Sequence, residues 1–234
     1  MEHKVRPRTQ NSRNSRRAYL KRRRQRELVH KMILFIILIV GISFGTTLTM
    51  KANIGVEAWD ALAQSGSAIT NIPVGTVLMI LNITCVLIQW IILKKDFKFK
   101  HMLQIPLSVF IGYLVNYFYY DLFGNLIVNN YFIKVLILIS GYLVNAFVVA
   151  GIMMLDVVTF ALEGACKVIS DKYQLSFPKF RQFIDVLSVV SVIALSMMFH
   201  IELYVREGTV IGMLIFGPMI GFFTKILEKI GENI

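Results

Sequence analysis

The stretch "IGVEAWDALAQSGSAITNIP", Ile54–Pro73, decides how the rest of the chain is read. It joins two apolar runs, each long enough to cross a bilayer, yet it is no simple loop. It opens with two acids, Glu57 and Asp60, on either side of Trp59. It continues with a helix-like Ala/Leu/Ser run and stops at Pro73. A second connector of the same build, "DVVTFALEGACKVISDKYQLSFP" (Asp156–Pro178), lies about a hundred positions on. Each includes an Ala-Leu pair, Ala61-Leu62 and Ala161-Leu162, and each ends at a proline before the next apolar run.

Working outward, six apolar segments stand out by hydropathy and length: Met32–Met50, Val74–Leu93, Met102–Tyr120, Phe132–Leu155, Phe183–Leu203 and Gly208–Leu227. The composition agrees. Of 234 residues 56% are hydrophobic and 17% charged, with a mean hydropathy of +0.64. A water-soluble domain needs more charge on its surface than that. The net charge of +11 is concentrated at one end. Met1–Lys31 holds twelve Lys/Arg against two acids, Glu2 and Glu27, whereas the remainder holds thirteen against twelve. The basic Asn/Ser/Arg-rich tail is too polar to bury a core and is expected to lack regular structure except near lipid headgroups.

Lys and Arg recur in alternate connectors: before segment one, in Lys94–His101, at Lys167 to Arg181, and at Lys225 and Lys229. The excess of positive charge on cytoplasmic loops then puts both termini in the cytoplasm. The fold class expected is an all-α polytopic membrane protein of six transmembrane helices. The two matching connectors follow the first and fourth segments. Segments three and six share "FIGYL" (Phe110–Leu114) and "MIGFF" (Met219–Phe223). The expectation is two three-helix repeats, about 32–124 and 131–227, with re-entrant or interfacial connector helices. Three is odd, so the halves lie in opposite orientations, as in many secondary transporters. Residues 1–31 form the cytoplasmic tail, and 228–234 a short cytoplasmic end.

Several motifs reduce to structure on inspection. "SRRAYLK" (Ser15–Lys21) has twin arginines, but the apolar run begins too far on and no cleavage site follows. The tail reads instead as a juxtamembrane segment for anionic lipid headgroups; no aromatic pattern supports nucleic-acid binding. "GISFG" (Gly41–Gly45) fits a serine-hydrolase elbow, yet Ser43 lies mid-helix with no partner base. Gly41 and Gly45 read as a face for close helix approach, as do Gly208 with Gly212 and Gly217 with Gly221. Pro218 is expected to kink segment six. Cys85 and Cys166 give no disulfide framework or zinc spacing.

Ionisable groups at membrane depth are the candidates for function. These are Glu57 and Asp60, three apart; Asp156 and Glu163, seven apart; and Asp185, one turn beyond Arg181 and its expected intrahelical partner. Trp59, between two of these acids, is a candidate for stacking on a solute. If the connectors dip into the membrane, their carboxylates converge and bind a cation or carry protons. If they do not, the same residues are interfacial caps. With the halves aligned on their Ala-Leu pairs, Phe160 falls opposite Asp60, which breaks the symmetry of the acids.

The chain resembles the YczE/YyaS/YitT family of bacterial membrane proteins, on three stretches between Leu34 and Phe223: "KANIGVEAWDALAQS" (Lys51–Ser65), "FPKFRQFIDVLSVV" (Phe177–Val190) and "REGTVIGMLIFGPMIGFF" (Arg206–Phe223). The residues that carry it are Gly55, Trp59, Asp60, Leu62, Lys179, Asp185, Gly208, Thr209, Gly217, Pro218 and Gly221. The resemblance implies a multi-span bacterial plasma-membrane protein, of the branch without a C-terminal soluble domain. It implies no substrate. The function expected is a small transporter or permease; the alternative is a non-transporting protein that scaffolds or regulates a partner. No enzyme activity, cofactor or metal is expected. Its partners would be the bilayer, anionic lipids on the tail and a small solute or cation, with self-association open.

Overall fold

The computed structural model describes residues 10–155 and 157–231. Among them every regular element is helical. In chain order these are α1 (Gln10–Ala52), α2 (Ala58–Thr70), α3 (Val74–Leu93), the single turn α4 (Phe99–Met102), α5 (Gln104–Asn116), α6 (Tyr131–Leu155), α7 (Ala161–Tyr173), α8 (Phe177–Phe199) and α9 (Glu207–Gly231). A 3-10 turn covers Lys94–Asp96, and a π-helical turn, Tyr117–Leu122, extends α5. The chain divides after Ile37 into two compact units. The first carries the basic segment, helical from Gln10 onward, where composition predicts no regular structure. Its Arg, Lys, Gln, Leu and Glu are good helix formers, and no Gly or Pro interrupts α1 before Gly41.

Six helices are long and apolar enough to cross a membrane: Leu28–Ala52, Val74–Asp96, Phe99–Leu122, Tyr131–Leu155, Phe177–Phe199 and Glu207–Ile230. The chain is a six-span, multi-pass membrane protein. The fifth span starts six residues before the position expected from hydropathy. Ser176 stands at its N-cap and Pro178 in its first turn, where a missing N–H costs nothing. Arg181 and Asp185 therefore both lie within the span.

The two halves keep a constant register. Elements of the second half lie 103 positions after those of the first: α1 and α6 end at Ala52 and Leu155, α2 and α7 run Ala58–Thr70 and Ala161–Tyr173, α3 and α8 begin at Val74 and Phe177, and α5 and α9 begin at Gln104 and Glu207. The caps repeat too. Glu57 and Phe160 are extended N-caps; Asn71 and Gln174 are left-handed C-caps whose N–H groups bond to Ser67 O and Ser170 O. Matches of short identities gave other registers: 100 for the Ala-Leu pairs and 109 for "FIGYL" and "MIGFF".

Helices α1 and α6 cross antiparallel, since Leu38, Gly41, Gly45 and Thr49 meet Gly151, Val148, Asn145 and Gly141 in turn. Gly41 and Gly45 serve the close approach expected of them, because a methyl on Gly41 would come 2.9 Å from Val148 Cγ2. Packing then crosses between halves. α2 lies on α3 and α8, and α7 on α8 and α3. α5 packs on α3 through Gly75 and Gly112, and Asn116 Oδ1 accepts from Gly75 N at 2.8 Å. α9 packs on α6, where Gly212 makes room for the Tyr142 hydroxyl. Gly217 and Gly221 do not behave as expected: nothing lies within 4 Å of a methyl placed on either. Their face of α9 is exposed.

Candidate functional site

The site grows from the first turns of α2 and α7. A buried cluster joins Cys85 and Val86 of α3 to Ala161, Leu162, Ala165 and Cys166 of α7, and Trp59 of α2 packs against it together with Phe180 and Ile184 of α8. Trp59 and Leu162 are register equivalents, so the starts of the two connector helices meet. Trp59 donates its indole N–H to Asn82 Oδ1 of α3 at 3.3 Å, which ties the ring to α3.

Each connector helix carries an acid as its third residue, Asp60 in α2 and Glu163 in α7. The partial positive charge of a helix N-terminus favours a carboxylate there. At the true register Asp60 therefore matches Glu163, and Phe160 matches Glu57. The broken symmetry expected from the sequence came from aligning the Ala-Leu pairs three residues out of register. Asp60 is buried at 8% exposure, and Glu57 and Glu163 are half-buried.

Arg181 of α8 ties these elements together. Its Nε lies 3.5 Å from Glu163 Oε1, and its Nη1 donates to Asp185 Oδ1 one turn on, the intrahelical pairing expected for Asp185. The same guanidinium acts electrostatically on Glu57 and Asp60 across the α2–α8 contact. Burial is the main force that raises the carboxyls of Glu57 and Asp60 above the usual carboxylate range. The charge of Asp60 raises Glu57 further, and Arg181 opposes the rise at both. Burial also pushes the Cys166 thiol up to about 11, so it is protonated and unreactive at neutral pH.

The carboxylates do not meet at a point. Among the described residues no three His, Cys, Asp or Glu side chains come close enough to hold one metal ion. What the arrangement can do chemically is hold and release protons and trade ion-pair partners. Asp156 lies outside the described residues.

Contacts made by α5 and α9 hold the two connectors, and these the sequence reading missed. Gly208 N donates to Ile54 O at 2.7 Å, and Arg206 Nη1 to Asn53 O at 3.3 Å. Gly55, at φ +106°, lies against Thr209, where a methyl would stand 2.7 Å from the Thr209 nitrogen. The Tyr142 hydroxyl donates to Gly208 O at 3.0 Å. The start of α9 thus clamps the loop that leads to Glu57. In the other half Gln89 Nε2 donates to Ala161 O at 3.1 Å and to Gln104 Oε1 at 2.8 Å. A methyl on Gly164 would stand 2.8 Å from Gln104 Nε2. So the first residues of α5 and α9 both sit at the connector of the opposite half. The sequence offers one signal, the Gly-containing "REGTVIG" (Arg206–Gly212), which carries the family resemblance but says nothing of its contact with the first connector.

Fold and site together define an all-helical membrane protein of six spans, in which Arg181 of α8 is ion-paired with Glu163 of the second connector and acts at longer range on Glu57 and Asp60 of the first. A family model described as a family of unknown function, DUF6198, matches residues 29–225, and the chain belongs to that family. The match does not confirm the YczE/YyaS/YitT name that the resemblance suggests. No curated protein and no solved structure matches the chain.

Proposed function

We propose that this protein is a small bacterial plasma-membrane transporter or permease, built as two inverted repeats whose connectors α2 and α7 dip into the bilayer. One observation carries the reading: Arg181 pairs with Glu163 of the second connector within electrostatic reach of Glu57 and Asp60 of the first, at a junction of helix starts lined by apolar side chains. Charge at membrane depth is costly, and its usual use is an ion or substrate path. The constant register of 103 positions and the crossed packing of α2 on α8 and α7 on α3 support the repeat. The antiparallel crossing of α1 and α6 supports its inversion.

On this reading Glu57, Asp60 and Glu163 carry protons, Arg181 and Asp185 set their charge, and Trp59 faces the solute. Both termini are cytoplasmic, and the basic segment of α1 rests on anionic headgroups, each basic side chain near the surface contributing about 1 kcal/mol.

The test is uptake of a broad solute panel by reconstituted vesicles, with Asp60→Asn and Glu163→Gln as controls. Uptake of some solute that both variants reduce at least tenfold supports the proposal. No solute dependence in any condition sinks it, and favours a non-transporting protein that regulates a partner.

A further inference from the structure

Arg181 is paired with one of two carboxylates that hold equivalent places in the two connectors. Asp60 and Glu163 are each the third residue of a thirteen-residue helix, at the constant register of 103 positions. Both helices pack on α8. Arg181 lies 3.5 Å from Glu163 and is hydrogen-bonded to Asp185. Trp59 of α2 packs on the same cluster as Phe180 and Ile184 of α8, which brings Asp60 and Glu57 within the electrostatic reach of the same guanidinium.

The ionisable groups near the start of α2 bear on the balance. On α2 and its N-cap are Asp60 and Glu57. α7 brings Glu163 and the Cys166 thiol, α8 brings Arg181 and Asp185, α3 brings the Cys85 thiol, and α6 brings the Tyr142 hydroxyl. Arg181 is the cation of this set, and four carboxyls compete for it. A guanidinium has a fork of five donors and changes partner by a rotation of its long side chain.

We propose that Arg181 is an exchangeable counter-ion, held by Glu163 while the carboxyls of α2 are protonated and drawn to Asp60 once they ionise. The exchange is a pH switch between the two connectors. At low pH the ion pair ties α8 to α7. At higher pH two further anions appear on α2, and the guanidinium moves towards them and releases Glu163. The two halves thereby take turns with a single charge. Nothing in this requires a transported solute, so a failure of uptake leaves the switch standing, and a failure of the switch leaves uptake untouched.

Trp59 reports it. The chain has two tryptophans, and Trp90 is exposed at the far end of α3. In full-length protein carrying Trp90→Phe, in lipid nanodiscs, emission from Trp59 is followed from pH 5 to pH 9. The expected result is a sigmoidal transition that Asp60→Asn with Glu57→Gln abolishes. Glu163→Gln removes the competitor and an anion, so the midpoint moves down by about 1 pH unit or more, the range in which a nearby opposite charge acts. Arg181→Gln moves it up. Should Arg181→Gln fail to fold, Glu163→Gln decides alone. A midpoint unmoved in Glu163→Gln, or the absence of any transition, overturns the proposal, because freeing Arg181 for α2 must stabilise its carboxylates; so does a Glu163→Gln shift just as large in the Arg181→Gln background, which loss of the anion alone predicts.

Discussion

The close approach of α3 and α5 makes the sharpest stability prediction. Gly75 and Gly112 face each other backbone to backbone: a methyl on Gly112 would stand 2.5 Å from Gly75 O and 2.9 Å from Met79 Cβ. Ordinary carbon–oxygen contact begins at 3.4 Å, so Gly112→Ala must part the helices by about 1 Å. Overpacking of this kind costs about 1–3 kcal/mol. The parting also stretches Gly75 N to Asn116 Oδ1, now 2.8 Å, and Val74 N to Tyr120 OH, now 3.2 Å. These bonds cap the start of α3, and weakening them adds about 1 kcal/mol. Replacing a helical glycine returns about 0.5–1 kcal/mol. The net expectation is a loss of about 1–3 kcal/mol. The internal control is Gly221→Ala, where a methyl meets nothing within 4 Å and only the helix gain remains, about 0.5–1 kcal/mol of stabilisation. Reversible unfolding in mixed micelles by SDS titration, read by far-UV circular dichroism, measures both. A neutral Gly112→Ala would refute the close approach. A strongly destabilised Gly221→Ala would show that the exposed face of α9 has a partner that this chain does not supply.

Further expectations follow from the site. Glu57 and Asp60 have raised carboxyls in the folded protein, so between the ordinary carboxylate range of about pH 4 and their raised values the folded state binds more protons than the unfolded one. Stability therefore falls as pH rises through that window, and Asp60→Asn flattens the slope, as SDS titrations at pH 5.5 and pH 8 will show; a rising curve contradicts the burial argument. Gly55→Ala meets both a φ of +106° and the Thr209 nitrogen, and is expected to cost about 2–3 kcal/mol in the same assay. Tyr142→Phe leaves Gly208 O without its hydroxyl donor and is expected to cost about 1 kcal/mol; no loss would mean that the clamp on the Ile54–Gly55 loop does not depend on Tyr142.

How much of this was legible in the sequence turns on which signals are long and which are short. The six spans were legible because each sums hydropathy over some twenty residues, and their positions hold to within a few residues except where Phe177–Gln182, with Lys179 and Arg181, masked the start of α8. A proline and two cations lower the local hydropathy without preventing a helix, since Pro178 sits in the first turn and the guanidinium of Arg181 is paired inside. The shared build of the two connectors was legible as well, because both announce themselves by length and by acid. Their register was not. The Ala-Leu identity and the "FIGYL"/"MIGFF" identity are each two residues deep, and chance supplies matches of that depth in an apolar chain drawn from few residue types. They pointed three residues short and six residues long of the register that the helix ends keep.

That small error hid the main chemical fact. Read three residues out, the second connector offers Phe160 where the first offers Asp60, and the acids look unrelated. Read at the register of the backbone, Asp60 and Glu163 are the same position used twice, and the side chain that the sequence treated as a mere partner for Asp185 becomes the one that both must share. In the sequence only the acid one turn on, Asp185, distinguishes Arg181 from Lys179 two residues away: each is a cation near the start of a span. Helix packing makes the difference. Lys179 points outward and is exposed, whereas Arg181 faces the joined starts of α2 and α7 and is half-buried among carboxylates from two connectors. A half-buried cation in that setting stays only while enough negative charge surrounds it, because an unpaired charge away from water is costly. Four carboxyls around one guanidinium exceed that need. The surplus is the physical reason to expect protons at this junction, and it is why Arg181→Gln should disturb α2, α7 and α8 together, where Lys179→Gln should leave all three unchanged.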